Sequence, residues 1–197
     1  MNYLVHLYLS DGSDEGLLGN LMGDFVKGPL DGRYPLGIAA GILQHRRVDS
    51  FAHDHPVCRR SKQRMDPQFG YFRSIMVDVF YDHFTASNWE RLHPAPLPAF
   101  AQRVYALLEE HRPILPAGLQ QVAERMIRHN WLVSYREVEV VGRVLARLSQ
   151  RLSRANPLAR GLPELTANYR ELESDCLQFL ASARSFTQAD ERPRPSG

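Results

Sequence analysis

Residues 41–55, GILQHRRVDSFAHDH, place three histidines, two aspartates and two arginines in a stretch with the apolar rhythm of a helix. Ile38, Ile42, His45, Asp49 and Ala52 recur at helical spacing, so one face starts apolar and then turns into ionisable side chains. Few folds accommodate such a face, because a charge that leaves water must find a partner. His45 and Asp49 are four residues apart and point the same way, near enough to orient one another or to hold one metal ion. Arg46 and Arg47 beside them offer guanidinium forks that match phosphate oxygens. A surface helix with an ordinary His–Asp pair has the same pattern, and this segment alone leaves both readings open.

Two further stretches repeat the device. In residues 78–83, DVFYDH, Asp78 and Asp82 share a helical face with His83 adjacent, among Ile75, Met76, Val77, Val79 and Phe80. That helix must bury much of its circumference, and a buried carboxylate is costly unless paired or bound to a cation. A hydrogen-bonded network without metal is the alternative there. In residues 19–28, GNLMGDFVKG, Asn20 and Asp24 are again four apart. Gly16, Gly19 and Gly23 weaken this helix intrinsically, which points to close packing or to backbone approach to a ligand. Mixed histidine and carboxylate donors suit Mn²⁺, Mg²⁺ or Fe²⁺, and such an ion acidifies a water and polarises a phosphoryl oxygen. The chain contains no P-loop, GxSxG, HExxH or GxGxxG, which favours metal-assisted hydrolysis over nucleotide-driven transfer or serine chemistry.

No stretch sustains period-two alternation, so the fold class expected is all-α, a single domain of six to eight helices. Helices are expected over about 15–26 with Ser13 as N-cap, 36–53, 69–92, 100–110, 119–131, 138–153 and 162–183. Residues 1–10 are undecided between helix and strand, and the polar, proline-containing 187–197 reads as a disordered tail after a domain covering 1–186. A length of 197 residues suits one domain with a sizeable core. No apolar run is long enough to span a bilayer, and the N-terminus, with His6 inside its apolar stretch, makes a poor signal peptide. Cys58 and Cys176 lie far apart outside any zinc spacing, and read as free thiols in a reducing cytoplasm. Lys27 and Lys62 are the only lysines. An arginine-heavy chain suits phosphate or carboxylate recognition, although base composition yields the same bias. The net charge of +2 does not argue for nucleic acid.

Five blocks occur in a specific order: N-x-L-x-H-L from Asn2, GNLMGDFVKG, GILQHRRVDSFAHDHP, DVFYDHF followed by Trp89, and WLVSYRE. Together they resemble the acyl carrier protein phosphodiesterases, from Met1 to about Ala183. The resemblance implies an enzyme that hydrolyses 4′-phosphopantetheine from the serine of holo-acyl carrier protein, leaving the apo form. It implies a divalent cation, Mn²⁺ foremost, and a helical bundle akin to the HD phosphohydrolase fold. An HD site supplies a histidine, an adjacent His-Asp pair and a later aspartate. Here Asp82-His83 has the reverse order, and the literal dipeptide is His53-Asp54. Helical-face arithmetic then selects Asp24, His45, Asp78 and Asp82 as the metal set, with Asp49 and His83 moving protons or orienting ligands and Arg46 contacting phosphate. His6 is either a further ligand or a satisfied core histidine, and His53 and Asp54 are rivals.

The partner implied is a small acidic protein, which calls for a basic face. Arg143, Arg147, Arg151 and Arg154 recur at helical spacing, and Arg59, Arg60, Lys62 and Arg64 cluster elsewhere. Arg143, Arg147 and Arg151, with Asn20, are the substrate contacts expected, against the alternative of a solvated helix face. Competing functions are an HD-type hydrolase of a nucleotide or other small phosphoester, a carrier-binding module without catalysis, and a nucleic-acid-binding helical protein. No membrane partner is expected.

Overall fold

The computed structural model describes residues 3–191. These residues form twelve α-helices and no strand. In chain order they are α1 (Tyr3–Leu9), α2 (Asp14–Met22), α3 (Leu36–Asp54), α4 (Pro56–Arg64), α5 (Phe72–Ser87) and α6 (Trp89–Leu92), then α7 (Leu97–Glu110), α8 (Ala117–Arg128), α9 (Trp131–Ser134), α10 (Val138–Arg151), α11 (Leu162–Ala167) and α12 (Tyr169–Glu191). The buried apolar side chains form one continuous cluster. The all-α expectation holds, and residues 3–9 settle as helix.

The helices outnumber those expected because α1 and α4 are helical, the stretch expected as 119–131 is divided into α8 and α9, and two other long helices are each divided at an asparagine. Asn88 Nδ2 donates to the Phe84 carbonyl at 3.0 Å, and Asn168 Nδ2 donates to the Glu164 carbonyl at 3.1 Å. Each side-chain amide folds back onto the carbonyl four residues behind it at the point where the helix is interrupted. Ser13 caps α2 as expected, its Oγ accepting from Gly16 N–H at 3.0 Å. The last helix reaches Glu191, five residues into the segment read as a tail. Phe186 stacks on Phe51 with centroids 4.5 Å apart and Thr187 is buried, which gives this end a reason to stay helical. Residues 192–197 lie outside the described residues.

The middle of the molecule is α5, which packs against α1, α4, α10 and α12. It buries Phe80, Tyr81 and Phe84 completely, each contributing about 2–3 kcal/mol of transfer free energy. Against the α5 side, α4 is tied to α12 through Asp175. This buried carboxylate accepts from Arg60 Nε and Arg64 Nε at 2.8 Å and from Ser61 Oγ at 3.0 Å. The tightest helix pair is α2 on α3. A Cβ at Gly19 would stand 2.3 Å from the Ile38 carbonyl oxygen, and one at Gly41 would stand 2.7 Å from that of Gly16. Only glycine permits this approach, and the approach brings the α2 backbone against the His45 ring. No helix among the described residues is long and apolar enough to cross a membrane.

Candidate metal centre

Three helices meet where α1, α2 and α3 converge. From α3 comes the i, i+4 pair His45 and Asp49; from α1 comes His6; Asp24 follows the end of α2. His45 Nδ1 lies 2.8 Å from the Asn20 carbonyl oxygen. A carbonyl only accepts, so Nδ1 carries the proton and Nε2 faces the other way. There it meets Asp24 Oδ1 at 3.4 Å and Asp49 Oδ2 at 3.3 Å. His6 Nε2 stands 3.2 Å from Asp49 Oδ1, and the two imidazoles stack with centroids 3.6 Å apart and planes 13° from parallel.

His45 Nε2 and both ring nitrogens of His6 are buried and have no hydrogen-bond partner among the described residues. The close oxygens are not aligned as acceptors; the donor atoms instead converge on a common space. One ligand atom each from His6, His45 and Asp49 falls within 4.8 Å of the others. A neutral Nε2 lone pair facing two carboxylates is repulsive until a proton or a cation lies between them. The protein alone settles this with a proton. Burial works against charging His45, but Asp24 and Asp49 overcome it and push its pKa up to about 9. Burial drives His6 down to about 4, and the neighbouring His45 adds to that. His45 holds Asp24 below the usual carboxylate range, and His45 with His6 holds Asp49 well below it against its own burial. The unsatisfied ring nitrogens of two histidines beside two carboxylates fit a divalent cation of the Mn²⁺, Fe²⁺ or Mg²⁺ kind. The histidines are buried while the Asp24 and Asp49 side chains are 52% and 38% exposed, so the group opens to solvent on its carboxylate side.

The other expected site residues take different places. Asp78 and Asp82 lie outside the His6–His45–Asp49 group. Asp82 is fully buried and its Oδ1 accepts from Val5 N–H at 3.0 Å, anchoring the start of α1; burial pushes its pKa up to about 7. Asp78, raised by burial, faces a cavity of about 230 Å³ that it shares with Asp49, His53 and Lys62. His83 is a buried strut, 2.8 Å from the Tyr135 carbonyl through Nδ1 and 2.9 Å from Tyr169 Oη through Nε2. Arg46 donates from Nη2 to the Val26 carbonyl at 2.8 Å and so braces the loop after Asp24. Asn20 contributes through its backbone oxygen, its side chain donating to the Gly16 carbonyl and to Gln44 Oε1. His53 and Asp54 are exposed at the end of α3. Arg143, Arg147 and Arg151 line a groove whose near end includes Asp78 and Tyr3.

Sequence reasoning left His6 undecided and gave Asp49 a helper's part. Its signal for Asp49 was the i, i+4 relation to His45; its signal for His6 was a lone histidine in an apolar run.

Comparison with known proteins identifies the family of the chain. The family described as acyl carrier protein phosphodiesterase matches residues 1–183. Acyl carrier protein phosphodiesterases of Serratia proteamaculans and Yersinia pestis are 36% and 34% identical over 180 residues, each covering 91% of this chain and 93% of the relative. That of Photorhabdus laumondii is 33% identical over 180 residues, 91% of either chain. No solved structure matches. With the match running through every helix that builds the His–Asp group, the chain belongs to the acyl carrier protein phosphodiesterases, a family of enzymes.

Proposed function

We propose that this protein is a divalent-cation-dependent phosphodiesterase that hydrolyses the link between 4′-phosphopantetheine and the serine of holo-acyl carrier protein, leaving apo-acyl carrier protein. The observation that carries this is the convergence of the unpartnered His6 and His45 nitrogens on Asp24 and Asp49. In this reading those four residues hold the cation, Mn²⁺ foremost. Such a cation, when bound, acidifies a water and withdraws charge from the phosphodiester oxygens.

The chain's own side chains do the rest. Asn20 fixes the His45 tautomer through its carbonyl, so that Nε2 keeps a lone pair for the site. The stacked His6 ring stays neutral because burial disfavours its protonation. Asp78 faces the cavity it shares with Asp49 and Lys62. Burial favours a proton on its carboxyl, and it would deliver that proton to the departing serine oxygen while Lys62 faces the phosphate. Arg143, Arg147 and Arg151 would meet the acidic surface of the carrier. The buried free thiols Cys58 and Cys176 are compatible with a cytoplasmic enzyme.

Intact-mass spectrometry of holo-acyl carrier protein incubated with the enzyme and Mn²⁺, against a chelator control, tests the proposal. Loss of the phosphopantetheine mass only with metal is the expected result. An unchanged carrier mass with folded, metal-loaded enzyme would overturn it, and turnover of free nucleotides instead would redirect it to small phosphoesters.

A further inference from the structure

A groove of about 740 Å³ runs between α5, α8, α9 and α10. Its surface has two chemistries in parallel. On α10, Val140, Val144 and Leu148 recur every four residues as a half-buried stripe. One position on from Val140 and Val144, Val141 and Leu145 turn into the core, while Arg143, Arg147 and Arg151 form an exposed stripe along the rim. Opposite, α5 supplies Ile75 and Val79, and the short α9 supplies the half-buried Trp131. Arg125 joins the rim from α8. None of Arg125, Arg143, Arg147 and Arg151 has a carboxylate partner among the described residues, whereas Arg60, Arg64, Arg103, Arg112 and Arg136 are all paired. The groove therefore combines an apolar floor with an uncompensated cationic edge.

The groove also adjoins the cavity beside the His–Asp group. Asp78 borders both it and the smaller cavity that contains Asp49. Tyr3, on the same wall, lies within electrostatic reach of Asp24 on one side and of Arg151 and Arg125 on the other. An arm whose phosphodiester lies at the His–Asp group would reach this groove by passing Asp78, the residue that borders both spaces. From Val140 to Arg151 the α10 wall extends over about 16 Å at 1.5 Å per residue, long enough for an extended chain and far more apolar than a phosphodiester requires.

We propose that this groove holds the aliphatic chain of an acylated carrier protein's prosthetic arm, with the arginine edge seated on the carrier's acidic surface. The inference rests on the carrier phosphodiesterase reading above and deepens it, since it makes acylated carriers substrates with a dedicated chain site. No covalent step is involved; the groove recognises the chain by burying it.

Trp131 provides the readout. The chain has two tryptophans, and the other, Trp89, is fully buried outside the groove. Carrier protein acylated with an 11-bromoundecanoyl chain is titrated into the enzyme in chelator, so that the arm stays intact. Complex formation is followed separately by the anisotropy of a dye on the carrier. Saturable quenching of tryptophan fluorescence by contact with bromine is expected, with none from the unacylated holo-carrier. Trp131→Phe should abolish the quenching without altering the anisotropy. Val144→Glu should weaken the quenching titration at least tenfold, and Val144→Ile should leave it within twofold. A complex that forms without quenching overturns the chain site, whatever becomes of hydrolysis. Quenching by free 11-bromoundecanoate but not by the acylated carrier overturns it too, in favour of free amphiphiles. No complex at all overturns this inference, and hydrolysis of unacylated carrier, assayed in parallel with metal, decides whether the reading beneath it falls as well.

Discussion

Gly23 ends α2 with helical torsions, φ −53° and ψ −40°, so an alanine there meets no backbone objection. Its obstacle is the His45 side chain. A Cβ would stand 2.2 Å from Cγ and 2.4 Å from Cδ2 of His45. Carbon atoms settle at about 3.5 Å, so Gly23→Ala must push the imidazole by roughly 1.3 Å. That shift is a large fraction of the 3.3–3.4 Å separating His45 Nε2 from Asp49 and Asp24. A displacement of about 1 Å in a catalytic group costs on the order of 10²-fold in rate. The fold is strained as well, because His45 Cβ, fixed to the α3 backbone, would stand only 2.6 Å away. Overpacking costs about 1–3 kcal/mol, and the better helix propensity of alanine returns up to about 1 kcal/mol. A net loss of about 0–3 kcal/mol lowers Tm by at most about 12 °C in a chain of this size. The assay pairs kcat/KM on holo-carrier with Mn²⁺ affinity and a thermal melt. Gly19→Ala is the contrast, because its Cβ meets the Ile38 carbonyl, a backbone atom that cannot swing aside. It should lose stability first. Wild-type activity and Mn²⁺ affinity in Gly23→Ala, with an unchanged melt, would refute the placing of His45 as a ligand.

Other expectations address the surroundings of the site. Asp175→Ala removes a buried carboxylate that three donors from α4 share; about 3 kcal/mol of stability should be lost in denaturant unfolding, and a loss below about 1 kcal/mol would contradict the tie. Asp82 is expected to make the wild type less stable as pH rises. Burial lifts its folded pKa from 3.8 to about 7, so the folded state binds the extra proton between these values and its advantage, fully present below pH 4, disappears by pH 7. The shift corresponds to on the order of 4 kcal/mol. Asp82→Asn should therefore gain stability relative to wild type across that window in chelator, and parallel curves would refute the assignment. The triple change of Arg143, Arg147 and Arg151 to alanine should raise KM for the carrier at least tenfold at low salt, leave kcat within twofold, and flatten the salt dependence. A fall in kcat at constant KM would move these arginines out of docking.

Periodicity carried the fold a long way. The α3 boundaries, the Ser13 cap and the close packing announced by Gly19 were legible because each depends on local spacing or on a side chain's own backbone. The divisions at Asn88 and Asn168 were not, because whether an asparagine inside an amphipathic run turns its amide back onto the preceding turn does not show in the spacing. The site divides along the same line. The i, i+4 relation of His45 to Asp49 is fixed within one helix, and the structure keeps it. Which helix faces which is a tertiary fact. Asp78 and Asp82 share a face of α5, yet Asp82 turns to the first amides of α1 while His6, from that same α1, takes the place beside His45. Nothing in the apolar run around His6 distinguishes a core histidine from a ligand until α1 is packed.

Pulsed EPR of the Mn²⁺-loaded enzyme tests the centre most directly, since nitrogen modulation counts the imidazoles on the ion. Coupling from two imidazole nitrogens in the wild type, reduced to one in His6→Ala and again in His45→Ala, is the result expected. Absence of nitrogen modulation in a protein that binds one Mn²⁺ per chain, or modulation unchanged by both substitutions, would contradict a metal centre built from His6 and His45.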